Sequence, residues 1–537
     1  MIINDSFLVD ILIATATLLG LFYYFITSTY DHWEKRGIPY VKPTLVFGNL
    51  KDQFLLKKSL NYVLQDIYNS FPGQKYGGYF ESRSPVLMIR DPELMERILV
   101  KDFSYFINRD FPSNIKRDPL SGNLFSLKGD VWRNLRNKLT PTFTTGKLKG
   151  MIEQICNSGN ELLNLIEKST MSNEGVDAKK MGAVFGIDVI ASCAFGLQFK
   201  HDSPEGIEFR KIVDKMFAPS ITQTLRMCIM MFCYPLAKLL GIKNAPKQVN
   251  DYIIELVKST MEFRKKNNIQ RNDFLQLMMN LRAQEEEGKE INWKKELSEE
   301  DAYLNHLDYV PSNGQHEKGF KVMTDECIAA QSFVFLTGGS ETTSTAIAFN
   351  LYELAVNPQV QTKLQQEVDS VLEKNGGKLT YQSLKEMTYM DLVIQETNRK
   401  YALGGFLRRV SNAPYRIPGT DIVLEEGTKV TIPLLAIHND PANFPEPDKF
   451  IPERFEGNNH RTNGNKYLAF GDGPRVCIAM RFVILELKAC LAMVISKYSV
   501  TLDPRTEVPL RFLAKAIMLT PCGGIWVRFQ QRERMQY

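Results

Sequence analysis

Residues 470–482 read FGDGPRVCIAMRF. Two glycines, a proline and an arginine lead into Cys477, and an apolar run at helical spacing follows: Ile478, Met480, Phe482, Val483, Leu485, Leu487 and Leu491. The pattern predicts a loop that delivers Cys477 to the N-terminal end of a helix. There the partial positive charge of the helix end and its free N–H groups favour a thiolate over a thiol. A cysteine beside an apolar helix is otherwise a small core residue. A shielded thiolate is a metal ligand or a nucleophile.

The rest of the composition removes competing chemistries. Cysteines stand at 156, 193, 228, 233, 327, 477, 490 and 522, with no C-x-x-C pair to suggest zinc or disulfide exchange, and reduced thiols facing the cytosol are the simpler reading. The six histidines include no H-E-x-x-H, the mark of the commonest zinc proteases. A net charge of +5 carries no nucleic-acid signature, and a 44% hydrophobic content suits a sizeable core. There is no G-x-G-x-x-G fingerprint and no phosphate loop, so a chain that needs electrons from NADPH must take them from another protein.

Residues 7–26 form a twenty-residue apolar stretch broken only by Asp10, about the length that crosses a bilayer core. No Lys or Arg precedes Lys35 and Arg36, which puts the N-terminus outside and the body in the cytosol. Tyr23, Tyr24, Tyr30 and Trp33 suit an interfacial aromatic belt. A cleaved signal peptide is the alternative, since Ala14-Thr15-Ala16 mimics a cleavage site, but the start is not basic and the apolar run continues beyond it. Pro39 and Pro43 then make a stiff exit from the membrane.

Further along, residues 79–81 and 86–89 read as a strand pair, and Asp91 caps a helix with Pro92 at its first position. Trp132 and Arg136 share a helical face, which would ordinarily be a solvated one. Residues 227–240 are apolar but too short to span a bilayer, and residues 283–318 turn charged like a solvated insertion. Thr324 can cap a long helix ending at Asn357, before Pro358; its middle, TGGSETTST, holds two adjacent glycines that cost a helix about 1 kcal/mol each. Ser383 and Glu386 form a capping box. Glu396 and Arg399, at i and i+3, taken alone are a weak surface pair. TPCGG between IML and IWVRF reads as a hairpin, with Cys522 as packing.

Phe470-x-x-Gly-x-Arg475-x-Cys477 resembles the cysteine loop of the cytochrome P-450 superfamily. GGSETT resembles its oxygen-activation motif, Trp132-x-x-x-Arg136 its propionate-binding helix, and Glu396-x-x-Arg399 with Arg454 of FPEPDKFIPERF its buried triad. KLTPTF and DVIASCAFG look like insect members of the microsomal branch. The resemblance implies a mainly α fold with small β-sheets (α+β), with residues 1–30 as a transmembrane anchor, 31–45 as a proline-containing hinge and 46–537 as the haem-binding catalytic domain. It implies haem b with Cys477 as the axial iron ligand, shielded by Phe470, and with Arg475, Trp132, Arg136 and Arg409 on the propionates. Thiolate ligation favours O–O cleavage. Glu341 and Thr342 become an acid–alcohol pair in an opened helix that holds water, and residues 227–240 lie over the substrate entrance.

The implied activity is monooxygenation of a lipophilic xenobiotic or an endogenous lipid or hormone-like compound at the endoplasmic reticulum membrane. Electrons come from an NADPH-cytochrome reductase, with cytochrome b5 as a second donor; the basic run Arg133, Arg136, Lys138, Lys147 and Lys149 motivates docking of an acidic reductase on the face that carries the cysteine loop. Two departures from the family pattern stand out: Ala479 replaces a glycine, and Ala402-Leu403 replace two prolines, leaving Gly404 and Gly405 to end the helix. They motivate a second reading, a degenerate member that sequesters ligands. A haem-thiolate isomerase or dehydratase needing no electrons is disfavoured, because Glu341 and Thr342 are both present.

Overall fold

The helix expected from Thr324 is the axis of the molecule. In the computed structural model, which describes residues 5–198, 203–217, 221–232, 234–243, 245–288, 323–458, 466–516 and 518–533, the Thr324 hydroxyl accepts the N–H of Cys327 at 3.1 Å and the helix runs unbroken over Asp325–Val356. Asp325 and Glu326 complement its positive end, and Pro358 opens the next helix. In chain order the elements used here are α1 (Asp5–Thr27), β1 (Tyr76–Glu81), β2 (Ser84–Ile89), α2 (Gly129–Leu139), β3 (Val176–Asp177) and α3 (Ala178–Ile190). They continue with α4 (Asp325–Val356), α5 (Thr388–Tyr401), β4 (Leu407–Val410), β5 (Tyr415–Arg416), β6 (Val423–Leu424), β7 (Lys429–Ile432), α6 (Met480–Ile495), β8 (Tyr498–Leu502) and β9 (Trp526–Gln531).

Buried residues line α4 along most of its length. Its closest neighbour is α3, where Gly182 admits the α4 backbone: a Cβ there would sit 3.0 Å from the Ser344 carbonyl. Around this helical core lie a four-stranded sheet in the order β1-β2-β7-β4, a three-stranded sheet β3-β9-β8 and the pair β5-β6. β2 and β7 are parallel and the other pairings antiparallel. The mainly α fold with small sheets is therefore as the sequence implied.

Among the described residues one helix is long and apolar enough to cross a membrane, Leu8–Thr27 within α1, with a mean hydropathy of 1.9. Tyr23 and Tyr24 on it are exposed, as an aromatic belt requires. Trp33 is not part of that belt. It is fully buried beneath β1, its indole N–H donates to the Tyr79 carbonyl at 3.2 Å, and Gly78 leaves room for its ring. Residues 31–45 are correspondingly docked rather than free-standing: the Pro39 carbonyl accepts the Gly78 N–H at 2.7 Å, and Tyr40 pairs with Gly78 like an added strand.

Two local expectations shift. The capping box is formed by Thr380 and Ser383, one turn ahead of the expected Ser383 and Glu386, which frees Glu386 to pair with Lys374. The tail hairpin is replaced by a longer-range pairing, because β9 finds β8 instead of its neighbour in sequence. Asp91 caps its short helix as expected, accepting the Leu94 N–H at 3.0 Å. Residues 289–318 of the charged insertion, and Cys233 within 227–240, lie outside the described residues.

Candidate functional site

Cys477 sits three residues ahead of the first turn of α6. Its backbone N–H donates to the Phe470 carbonyl at 2.9 Å and its carbonyl accepts the Met480 N–H at 3.3 Å, so the cysteine closes its own loop. Gly471 and Gly473 are both left-handed, at φ +77° and +65°, and a side chain at Gly473 would run into the Leu99 carbonyl. Ala479, where a glycine was expected, has φ −93° and carries its methyl group without backbone strain.

The loop faces a cavity of about 470 Å³. Cys477, Phe470 and Ala479 line it, and so do Gly338, Gly339 and Thr342 of α4 and Trp132 and Arg136 of α2. Arg109, Arg409 and Arg475 line it too. These three arginines lack a carboxylate within ion-pairing distance among the described residues, and they repel one another. Burial and Arg136 pull Arg109 down to about 10, with Cys477 acting the other way. Burial and Arg109 pull Arg409 down to about 9, and burial with Arg109, Arg409 and Arg136 holds Arg475 well below its ordinary value. Arg475 donates to the carbonyls of Ile107, Leu124 and Leu127 and stacks 3.8 Å from the centre of the Trp132 ring. Arg409 donates to the Arg408 carbonyl, and its Nε has no partner.

A cysteine loop beside a cavity ringed with buried guanidiniums is the setting in which the comparison with known families is decisive: the cytochrome P-450 model matches residues 38–310 and 292–527. The chain belongs to the cytochrome P-450 family. Cytochrome P-450 6d3 of Musca domestica is 35% identical over 525 residues, 96% of this chain and 98% of that protein. Cytochrome P-450 6j1 of Blattella germanica is 34% identical, covering 97% of this chain and 98% of that protein. Cytochrome P-450 6a8 of Drosophila melanogaster is 35% identical, covering 96% and 97%. The protein is a haem-thiolate monooxygenase with haem b as its cofactor.

The chain's own residues fit that group. A buried cluster of like charges with an orphaned Arg409 Nε calls for an anionic partner, which two propionates supply, and the cavity offers a single thiol.

Arg109 was not singled out from the sequence. It lies in an irregular segment with no spacing signal, and its guanidinium reaches the Arg475 carbonyl at 2.9 Å. Of the expected docking cations, Arg136 is buried in the cavity wall, Arg133 is tied to Asp130 and Lys138 to Glu285; Lys147 and Lys149 are the exposed pair.

On α4 the expected acid and alcohol part company. Thr342 lines the cavity and donates to the Gly338 carbonyl, whereas Glu341 lies outside the lining and accepts from Lys179 of α3. The helix is not opened at Gly338 and Gly339. The glycines instead give the cavity a wall without side chains: a Cβ on Gly338 would meet nothing within 4 Å. One turn round, Thr343 donates to Glu486 of α6 at 3.2 Å; burial pushes that carboxyl up to about 8.

Behind the cysteine loop, Glu396 and Arg399 are fully buried, not a surface pair. Arg399 donates to both Glu396 oxygens at 2.8 and 3.0 Å, and Arg454 adds a third bond at 3.0 Å. Arg399 also holds the His438 carbonyl, tying α5 to the segment that leads into the loop. Where prolines were expected, Ala402 ends α5 in the left-handed region at φ +41°. Gly405 follows at φ +64° packed on Asn61, and Leu403 and Gly404 reach the cavity wall, so the segment still lines the pocket.

Proposed function

We propose that this P-450 inserts one oxygen atom of O₂ into lipophilic small molecules, xenobiotic or endogenous, with electrons from an NADPH-cytochrome reductase and with cytochrome b5 as a second donor. The observation that carries this reading is one cavity lined both by Cys477 and by Gly338, Gly339 and Thr342. Bound haem supplies oxygen activation at a thiolate-ligated iron. The chain supplies the rest. Cys477 is the iron ligand, Phe470 shields its sulfur, and Trp132, Arg136, Arg409 and Arg475, with Arg109 added, hold the propionates.

Phe111, Phe125, Phe335 and Phe406 bind an apolar substrate and exclude water. Thr342 presents a hydroxyl to the cavity; since its proton goes to the Gly338 carbonyl, its oxygen is left to accept from a water. Glu341 is the acid of the pair: to deliver a proton its carboxylate must leave Lys179, take up a proton from solvent and pass it to that water. Residues 1–30 are the anchor in the endoplasmic reticulum membrane, 31–45 the hinge and 46–537 the catalytic domain facing the cytosol. The reductase docks through Lys147 and Lys149, and its association weakens with salt.

The test is reconstitution of the full-length holoprotein with reductase, NADPH and isotopically labelled dioxygen. One labelled atom in the organic product supports the reading. Turnover with NADPH in the absence of reductase, or product oxygen taken from water, overturns it.

A further inference from the structure

A polar side chain stands in the apolar first half of α4. Gln331 is fully buried between Ile328-Ala329-Ala330 and Phe333-Val334-Phe335, where an amide is costly unless its hydrogen bonds are made. They are made, and two of them leave the helix. Oε1 accepts the Leu124 N–H at 2.8 Å, and Nε2 donates to the Gly122 carbonyl at 3.0 Å as well as to the Cys327 carbonyl of α4 at 3.1 Å. Gln331 is not among the described residues that line the cavity, whereas Val334 and Phe335, three and four positions on, are.

The backbone it grips carries part of the cavity wall. Leu124 and Phe125 line the cavity, and Phe125 stands edge-on to Phe111 with ring centroids 4.7 Å apart. The turn that holds them is built from within. Asn123 Oδ1 accepts the N–H groups of Phe125 and Ser126 at 3.1 and 3.0 Å, its Nδ2 donates to the Leu120 carbonyl at 2.7 Å, and its own carbonyl accepts the Leu127 N–H at 3.0 Å. Such a turn keeps its shape and is placed as a unit by what holds it from outside. Gln331 holds it on the α4 side. On the side of the cysteine loop Arg475 donates to the Leu124 and Leu127 carbonyls at 3.3 and 2.8 Å, so the N–H and the carbonyl of Leu124 are held by different elements.

Resting on the monooxygenase reading above, we infer that Gln331 is the positioning residue of this wall: it touches no substrate, yet it sets how far Leu124 and Phe125 stand from α4 and so the shape of ligand the cavity accepts. Apolar packing of Leu124 does not fix that distance by itself, because apolar contact is non-directional and a hydrogen bond is not. Without the amide, the Leu124 N–H and the Gly122 carbonyl lose their partner, and the turn must shift toward water to satisfy them.

The test compares full-length, haem-loaded wild type with Gln331→Leu, which keeps most of the volume and removes the polar atoms, and with Gln331→Asn, one methylene short of the turn, in case the leucine variant fails to fold. Gln331→Glu is the rescue: burial keeps its carboxyl neutral, so one oxygen accepts from Leu124 and the hydroxyl donates to Gly122. Hydrogen exchange in peptides covering residues 120–127 should be about tenfold faster in the leucine and asparagine variants and return toward wild type in the glutamate variant. Equilibrium dialysis with biphenyl and n-hexylbenzene, two uncharged probes of equal carbon number, reads the shape of the cavity. The ratio of their dissociation constants should change about threefold or more in the first two variants and stay near wild type in the third. Unchanged exchange over residues 120–127, a ratio that neither the leucine nor the asparagine variant moves, or a glutamate variant no closer to wild type than leucine would overturn the inference. A carbon monoxide difference spectrum on each preparation reports haem loading separately, so failure of the haem-thiolate reading is seen there and failure of the positioning role in the exchange and the dialysis.

Discussion

Arg409 should destabilise the empty protein and stabilise the loaded one. It is 1% exposed, shares the rim with Arg109 and Arg475, and is drawn down to about 9 by burial and by Arg109. An unfolded arginine titrates near about 12.5. At neutral pH the group is charged in both states, below both values, so the whole penalty falls on the folded chain. At about 1.4 kcal/mol per pH unit that penalty is capped at about 5 kcal/mol, and local relaxation reduces it. Replacing Arg409 with methionine keeps the stem, removes the charge and gives up one hydrogen bond to the Arg408 carbonyl, worth about 1 kcal/mol. Haem-free Arg409→Met should therefore be about 1–3 kcal/mol more stable than haem-free wild type in denaturant unfolding. The loaded variant should instead lose haem to a scavenger protein about tenfold faster or more, because a propionate has lost a charged partner. A purely structural arginine would lower stability with and without haem. If haem-free Arg409→Met is less stable than wild type, or haem loss is unchanged, the argument from the rim charges fails.

Other expectations follow from the same geometry. Thr342→Ala should fold and load normally yet give about tenfold less product per NADPH, with the balance appearing as hydrogen peroxide; unchanged coupling on several substrates would remove Thr342 from the proton relay. Glu486 is neutral when folded up to about 8, so its contribution to stability is complete below the unfolded carboxyl range and is lost as pH rises through about 8. Glu486→Gln should flatten that loss between about pH 5 and pH 8, and a midpoint that falls as steeply as in wild type over that range would contradict the assignment. Protease added to intact microsomes should digest residues 46–537, and full protection would reverse the proposed orientation.

What could be read from the sequence was what depends on short spacings. The cysteine loop and the cap at Thr324 are each settled by residues within one or two turns, and each stands where the spacing put it, whereas the Trp132–Arg136 face, solvated by its spacing alone, is buried. Trp33 was misread because its neighbours are a membrane span and two prolines, whereas its burial depends on Gly78 some forty-five residues away. Glu341 illustrates the same limit: the motif places it beside Thr342, but its side chain is held by Lys179, which no local pattern connects to it. Arg109 carries no motif and gains its role from three other arginines far along the chain. The two departures from the family pattern turned out to be locally tolerable for different reasons. Ala479 adopts an ordinary φ, and Ala402 takes a left-handed cap that alanine accepts at a cost of about 1 kcal/mol.

The central claim is that Cys477 is the axial thiolate of a haem held in this cavity. The carbon monoxide difference spectrum of the reduced protein reads the iron's sulfur ligand directly. Wild type should give the thiolate signature, Cys477→Ser should lose it because a hydroxyl is a poor iron ligand, and Cys522→Ser, at an exposed cysteine of the tail, should keep it. An unaltered spectrum in Cys477→Ser would contradict the account.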